Sequence, residues 1–472
     1  MSSDVAFSRL VICFATAGAC MGLTYALPSL AAYQPWTPGE PLPLIAALVP
    51  STAPRVVEDD LGELVAAPEE PMPEVASLDA APVPLPDSTL VDRPPGHATP
   101  LVDPEFKGMA AFYSHLRELE AGTGVVRVLH WGDSTIAADG ITSTVRSRMQ
   151  ARFGDAGPGF LVAGMDPRWN MRADVAMARE GEWSTATLTT EGGGGRYGLG
   201  GIVSTAADGA WVLFRYPKAK VENPPVLTHL EVWLGNSAGS VWVSANGKSV
   251  GGGPPSAADR RLVYDLPGGF NKAAVGATGD TVSVYGMVME TGQPGITWEA
   301  LGVTGVGSRS FVIQRPAHIA EQVANRAPAL LVVQLGGNET GYPVLTQGDG
   351  SGYVEYYVKT LKMLRAGAPE SSCLVVAPLD QGTRGTDGSV HSKPVMKRLN
   401  SLLATAAAQE GCAYWSARDA MGGEDSIAVW KTKGLAWSDL LHLSGPGLEI
   451  LGNLLADAIE EGYAQWRATG GM

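Results

Sequence analysis

The chain has 472 residues, of which 45% are apolar and 17% charged, with 34 Lys+Arg against 48 Asp+Glu and a net charge of −14. That length allows two or three domains of the usual ~100–200 residues, and the composition suits a globular body rather than a disordered chain or a many-span membrane protein. The acidic balance would repel polyphosphates, and no basic stripe with aromatic platforms accompanies it, so nucleic acid is excluded as a partner.

Residues 10–27 (LVICFATAGACMGLTYAL) are almost wholly apolar and follow Arg9. A cleaved signal peptide and a retained membrane anchor both fit; small-residue cleavage sites lie near Ala17-Gly18-Ala19 and Leu30-Ala31-Ala32. Residues 34–100 hold 15 of the 33 prolines and 11 acidic against 2 basic residues. Such a stretch cannot bury enough apolar surface to offset chain entropy, so it reads as an extended spacer. The expected order is therefore a signal peptide or anchor over 1–33 and a Pro-rich acidic linker over 34–100. An exported, periplasmic or cell-envelope-associated protein follows, with membrane tethering through the N-terminal segment.

From residue 104 the texture changes. PEFKGMAAFYSHLRELEAG places Phe106, Met109, Tyr113, Leu116 and Leu119 at helical spacing, VVRVLHWGDS is a short apolar run ending in a turn, and ITSTVRSRMQARFG resumes a helix. Between about 165 and 300 the segments WVLFRYP, THLEVWLG, SVWVSANGKSV, RRLVYDLP and DTVSVYGMVME are short, β-branched and aromatic, and separated by Gly and Pro. They predict an antiparallel sandwich inserted into the α/β pattern. After 316 helices and strands alternate again: PAHIAEQVANRAP, LLVVQLGGNE, YVEYYVKTLKMLRAGAP, CLVVAPLD, KPVMKRLNSLLATAAAQEG, CAYWSA and PGLEILGNLLADAIEEGYAQW. The expected fold is thus α/β, a three-layer α/β/α flavodoxin-like domain with a parallel sheet over 101–164 and 301–472, interrupted by the insert over 165–300.

Four short motifs sit at boundaries of the α/β pattern. Gly132-Asp133-Ser134-Thr135 puts a serine at a strand-to-helix turn, where a helix N-terminus favours negative charge; alone it also reads as a helix cap. Gly302-Val303-Thr304-Gly305 closes the β-rich region and could offer the Gly305 N–H. Gly336-Gly337-Asn338-Glu339 follows LLVVQL and offers a side-chain amide, although an ordinary Gly-Asn turn has the same sequence. Asp439-Leu440-Leu441-His442 can supply an oriented histidine base from one loop, and serine needs such a base at neutral pH. His130, four residues before Ser134, reads as a strand-end residue. Trp233 and Trp242 in the insert read as inward-facing core, with sugar stacking as the alternative. Seven histidines with neither H-E-x-x-H nor C-x-x-C argue against a metal site. Cys373 and Cys412 open two apolar runs: they are either two small core residues or, if their strands are neighbours, within disulfide reach.

In this chain order the motifs resemble the four blocks of the SGNH (GDSL-like) hydrolase superfamily. The resemblance implies Ser134 as nucleophile, His442 as general base and Asp439 as its orienting acid. It implies an oxyanion hole of the Ser134 N–H, the Gly305 N–H and the Asn338 side chain, and no cofactor. HWGDSTIAADGITSTVRSRMQARFGDAGPGF, VYGMVMETGQPGITWEALGVTGVG and AMGGEDSIAVWKTKGLAWSDLLHLSGPG further resemble bacterial peptidoglycan O-acetylesterase-like proteins with a carbohydrate-module-like insert. An acylated envelope polysaccharide is the substrate this implies. Asp133, Thr135, Thr304, Glu339, Arg384 and His391 are candidate substrate contacts. The family's third block ends in aspartate where this chain has Glu339, its glycine block carries asparagine where this chain has Thr304, and leucine or histidine commonly follows the nucleophile where this chain has Thr135. An O-acyltransferase with the same triad and a non-catalytic glycan-binding protein are the alternatives.

Overall fold

The computed structural model describes residues 94–190, 193–219, 223–346 and 348–471. The apolar segment expected over 1–33 and the first 60 residues of the acidic linker lie outside them. Five parallel strands form the central sheet: β1 (Val125–Gly132), β2 (Gly295–Gly302), β3 (Leu330–Gln334), β4 (Ser372–Ala377) and β5 (Ala413–Ser416), in the spatial order β2-β1-β3-β4-β5. That is the doubly wound topology in which the strand order, not the strand direction, reverses beside β1, and ligands bind outside the carboxyl ends at that switch point.

Alternation along β1 explains the three layers. Val126 and Val128 face a core shared with helices α1 (Ala110–Glu120), α3 (Gly140–Phe153) and α7 (Gly445–Ala468). Leu129 and Trp131 face the opposite core, shared with α4 (Pro316–Arg326), α5 (Ser351–Arg365) and α6 (Val395–Gln409). A single short helix, α2 (Ser134–Ala137), follows β1 directly. Residues around Val102 pair with Tyr414 of β5, so the incoming chain covers what would be an open sheet edge.

The insert is two antiparallel sheets. One has the order 260–270, 227–237, 282–290, 202–206, 183–187; the other runs 176–180, 211–215, 272–278, 240–245, 248–253. Val212, Phe214, Val243 and Val275 of the second pack against Leu230, Val232, Val284 and Met287 of the first. Trp233 is buried and donates its indole N–H to Glu231 (2.6 Å), and Trp242 is half-buried.

Both edges of the expected insert shift. Gly295–Gly302, most of which falls inside the expected bounds of the insert, is β2 of the parallel sheet and runs alongside β1 with Val126 opposite Ile296. At the other edge Gly159–Leu161 already pairs with Met287–Met289 of the insert. A fully buried apolar run beside a β-rich region has the same local signature in either sheet, so only long-range pairing separates them. Cys373, the second residue of β4, and Cys412, immediately before the neighbouring β5, are disulfide-bonded.

Candidate active site

The carboxyl ends of the strands meet at one rim, and three segments bring their side chains together there. Gly132 ends β1 where a Cβ would lie 2.3 Å from Ile136, so the chain can turn tightly enough into α2 to present Ser134. Asp133 caps α2, its Oδ1 accepting the Thr135 N–H (3.0 Å). At the end of β2, Gly302 abuts the same helix so closely that a Cβ would sit 2.0 Å from the Ala137 nitrogen.

The loop before α7 delivers the other two groups. Ala436 and Leu443 form an antiparallel bridge, and the Trp437 N–H donates to the His442 carbonyl (2.9 Å), so Asp439 and His442 stand on the tip of a tight hairpin. Leu440 between them adopts φ +59°, a left-handed conformation that costs a leucine ~1–3 kcal/mol. Burial of its side chain and the bond from the Gly382 N–H to its carbonyl (2.8 Å) hold it there.

Ser134 Oγ lies 2.9 Å from His442 Nε2, and His442 Nδ1 lies 2.8 Å from Asp439 Oδ2. The other carboxylate oxygen of Asp439 accepts the backbone N–H groups of Leu441 (2.9 Å) and His442 (3.1 Å). Burial would raise the Asp439 pKa, but the His442 ring and these two N–H groups outweigh it and hold the carboxyl at about 2. The same bond to Asp439 raises His442 above its ordinary value against the opposing effect of burial. A hydroxyl, an imidazole of raised basicity and an ionised carboxylate in this sequence can move a proton off the hydroxyl.

A small polar cavity of about 20 Å³ adjoins Ser134, its wall including Gln334, Gly337, Asn338 and Gln381. Asn338 donates its amide to the Val306 carbonyl (3.0 Å) and, at 3.4 Å, to Asp133 Oδ2. Burial raises the pKa of Asp133 against the bonds from the Thr135 N–H and hydroxyl. Gln381 is buried and bridges two groups: Nε2 donates to the Gly337 carbonyl (2.8 Å) and Oε1 accepts from Lys393 Nζ (2.8 Å). A lysine only donates, so this bond fixes which way the Gln381 amide points.

The remaining candidates distribute differently. Asp133 and Thr135 line the cavity. Thr304 and Gly305 lie exposed on the loop after β2, with Gly305 at φ +77°. Glu339, expected as a substrate contact, is instead fully buried and occupied: it accepts from the Ser308 N–H (2.8 Å), the Ser308 hydroxyl (2.6 Å) and the Tyr353 hydroxyl (2.8 Å). It braces the Asn338 turn against the next helices. Arg384 and His391 sit exposed on the two-stranded hairpin Gly382–Arg384/Val390–Ser392, and neither is part of the cavity wall. His391 bonds Ser389 (3.1 Å). His130 is buried in β1, where desolvation lowers it to about 3, far from a working base. Gln334, Gln381 and Lys393 were not singled out from the sequence. A lone glutamine ending the apolar strand LLVVQ was the one available signal.

Residues 273–450 match the GDSL-like lipase/acylhydrolase family, a span that holds Asn338, Asp439 and His442 but not Ser134. Among solved structures, a peptidoglycan O-acetylesterase aligns over 77% of this chain and 99% of its own, at 21% identity and a TM-score of 0.63. At that identity the likeness establishes the fold. An acetylxylan esterase from Geobacillus stearothermophilus aligns over 35% of this chain and 72% of its own (19% identity, TM-score 0.25). A protein from Lactobacillus plantarum aligns over 35% and 81% (16% identity, TM-score 0.27). No curated protein sequence matches the chain.

Proposed function

Starting from a chain that carries a GDSL-like lipase/acylhydrolase domain and is a carboxylic ester hydrolase, we propose that it removes O-acetyl groups from a cell-envelope polysaccharide such as peptidoglycan through an acyl-enzyme on Ser134. The observation that carries the mechanism is the unbroken line Asp439–His442–Ser134, with links of 2.8 and 2.9 Å. Asp439 keeps the proton of His442 on Nδ1, which leaves the Nε2 lone pair facing the hydroxyl. As Oγ attacks the acetyl carbonyl carbon, its proton passes to Nε2. The tetrahedral oxyanion would draw on the Ser134 N–H, on the Asn338 amide once it gives up its long bond to Asp133 (3.4 Å), and on the Gly305 N–H of the loop after β2. His442 then returns the proton to the departing sugar oxygen. A water that gives its proton to Nε2 attacks the acetyl-serine, and acetate leaves as Oγ regains a proton.

The size of the cavity supports acetyl over longer chains. About 20 Å³ beside Ser134, with a mainly polar wall that also includes Pro378, Leu379 and Leu441, accommodates a methyl-sized group and offers a fatty chain little apolar surface. The polysaccharide reading is supported by the fold shared with a peptidoglycan O-acetylesterase. The disulfide between Cys373 and Cys412 supports export to an oxidising compartment such as the periplasm.

A fluorophosphonate probe should label the parent protein, and Ser134→Ala should remove the label. With O-acetylated peptidoglycan the parent should release acetate and pass no acetyl to an unacetylated glycan added alongside. Acetyl transfer to that glycan in place of acetate release would identify a transferase. Labelling that persists in Ser134→Ala would remove the nucleophile assignment.

A further inference from the structure

The loop 166–174 lies in the first part of the insert yet is fastened to the hydrolase at the two elements that flank the Ser134 turn. The Asn170 side chain donates to the carbonyl of Gly302 (3.2 Å), the last residue of β2. The Met171 N–H donates to the carbonyl of Ala137 (2.8 Å), the last residue of α2. Two residues on, the Ala173 N–H donates to buried Asp139 Oδ2 (2.8 Å). At the other end Asp166 closes the turn, accepting the Arg168 N–H through its side chain (3.0 Å) and the Trp169 N–H through its carbonyl (3.0 Å). The backbone here is fixed at both ends.

On this fixed loop Trp169 is 55% exposed, and Met171, two residues on, is 39% exposed. Among the described residues Trp169 is the only exposed tryptophan; the others are buried or half-buried, Trp437 on the Asp439–His442 hairpin included. An indole left in water on a loop pinned to the catalytic turn offers a flat apolar face with little conformational freedom to lose on binding. A polysaccharide whose ester reaches Ser134 must run across this rim. The C–H face of a pyranose ring can cover the indole while the ring's hydroxyls stay in water.

We infer that Trp169, with Met171 at its edge, is the platform on which a sugar ring of the substrate chain stacks, next to the sugar that carries the ester. This rests on the polysaccharide reading given above. It makes Trp169 a residue that selects polymer over small esters.

The test compares full-length parent, Trp169→Ala and Trp169→Tyr on O-acetylated peptidoglycan and on 4-nitrophenyl acetate. The expected result for Trp169→Ala is a loss of kcat/KM on the polymer at least tenfold larger than on the aryl ester. That loss should appear in KM, and tyrosine, which keeps a flat ring, should restore most of it. Equal losses on the two substrates, or no loss on the polymer, would overturn the inference. Should the parent cleave the aryl ester but not the acetylated polymer, the substrate reading falls. The platform is then judged by co-sedimentation with insoluble peptidoglycan, comparing Ser134→Ala with Ser134→Ala/Trp169→Ala. Weaker binding of the double variant supports it, and equal binding overturns it.

Discussion

Replacing Asp439 by asparagine changes one proton position and little else. Asparagine Oδ1 can still accept the Leu441 and His442 backbone N–H groups that shape the hairpin tip, so the loop keeps its form. Facing His442 Nδ1, however, the carboxylate oxygen at 2.8 Å becomes an amide nitrogen that donates. The imidazole must then carry its proton on Nε2, which points a donor instead of a lone pair at Ser134 Oγ, 2.9 Å away. A hydrogen bond to a charged group contributes ~1.5–3 kcal/mol, or ~10–100-fold in rate. The corresponding change at a fully buried triad aspartate costs ~10⁴ through the wrong tautomer. Asp439 has a side chain 40% exposed, so water competes with both effects, and a fall in kcat/KM of ~10² is expected.

The pH profile provides the independent check. His442 acts as base only when neutral, so kcat/KM should rise with pH through its pKa, which the bond to Asp439 sets above the ordinary ~6.5. In Asp439→Asn the largest cause of that elevation is gone and burial is opposed only by the weaker pull of Asp133, so the acid limb should move to lower pH. Steady-state hydrolysis of 4-nitrophenyl acetate from pH 5 to 9 reads both quantities. A variant that stays within threefold of the parent and keeps its acid limb would refute the assignment of Asp439 as the orienting acid.

Three further outcomes follow from the same structure. Asn338→Ala should lower kcat by ~10²–10³ with a smaller effect on KM, since the amide acts on charge that develops only during reaction; an unchanged kcat would remove Asn338 from the oxyanion hole. The disulfide closes a separation of 39 residues, for which loop closure gives about 4 kcal/mol. Reduction, or the Cys373→Ala/Cys412→Ala pair, should lower denaturant stability toward that amount, and a loss under about 1 kcal/mol, well below that loop-closure value, would contradict it. Burial opposes ionisation of Glu290, yet Arg326 and Arg127 hold it at about 2. Its folded pKa lies below its unfolded one, so it contributes on the order of 3 kcal/mol that is present above about pH 4.5 and lost as pH falls toward 2. Urea unfolding at pH 5 and pH 2.5 should show that loss in the parent and a much smaller one in Glu290→Gln.

What the sequence disclosed and what it withheld divide by range. Helical spacing in Tyr113, Leu116 and Leu119 or in Leu448, Leu451, Leu455 and Ile459 is set by neighbours three and four residues away, and these residues lie on the buried faces of α1 and α7. The order of four short motifs was also readable, because each sits where a strand gives way to a turn. The placement of β2 was not readable, since ITWEALG is buried on both faces in the parallel sheet and would be just as apolar in a sandwich. Glu339 looked like a group at the mouth because it follows Asn338. Its three partners come from Ser308 and Tyr353, residues 31 and 14 positions away, and they turn it inward. The left-handed Leu440 gave no signal at all, because leucine is not a residue that announces positive φ.

The insert's attachment bears directly on how substrate is selected. Arg146 of α3 donates to Asp139 (2.6 Å) and to Asp174 (3.2 Å), and its other nitrogen donates to the Trp298 carbonyl of β2. Arg326 of α4 binds both Glu299 of β2 and Glu290 at the end of the insert's last strand, and Arg127 of β1 closes the second side of Glu290. Breaking such a buried pair leaves a charge without its partner and costs ~3–5 kcal/mol. The two clusters bracket the insert where the chain enters it and where it leaves. Each also holds a strand or helix adjoining the Ser134 turn. An insert secured in this way cannot swing as a tethered module. Whatever its surface contributes, the exposed indole of Trp169 included, is held at a fixed place relative to the nucleophile, and selection by the insert is geometric rather than a matter of local concentration.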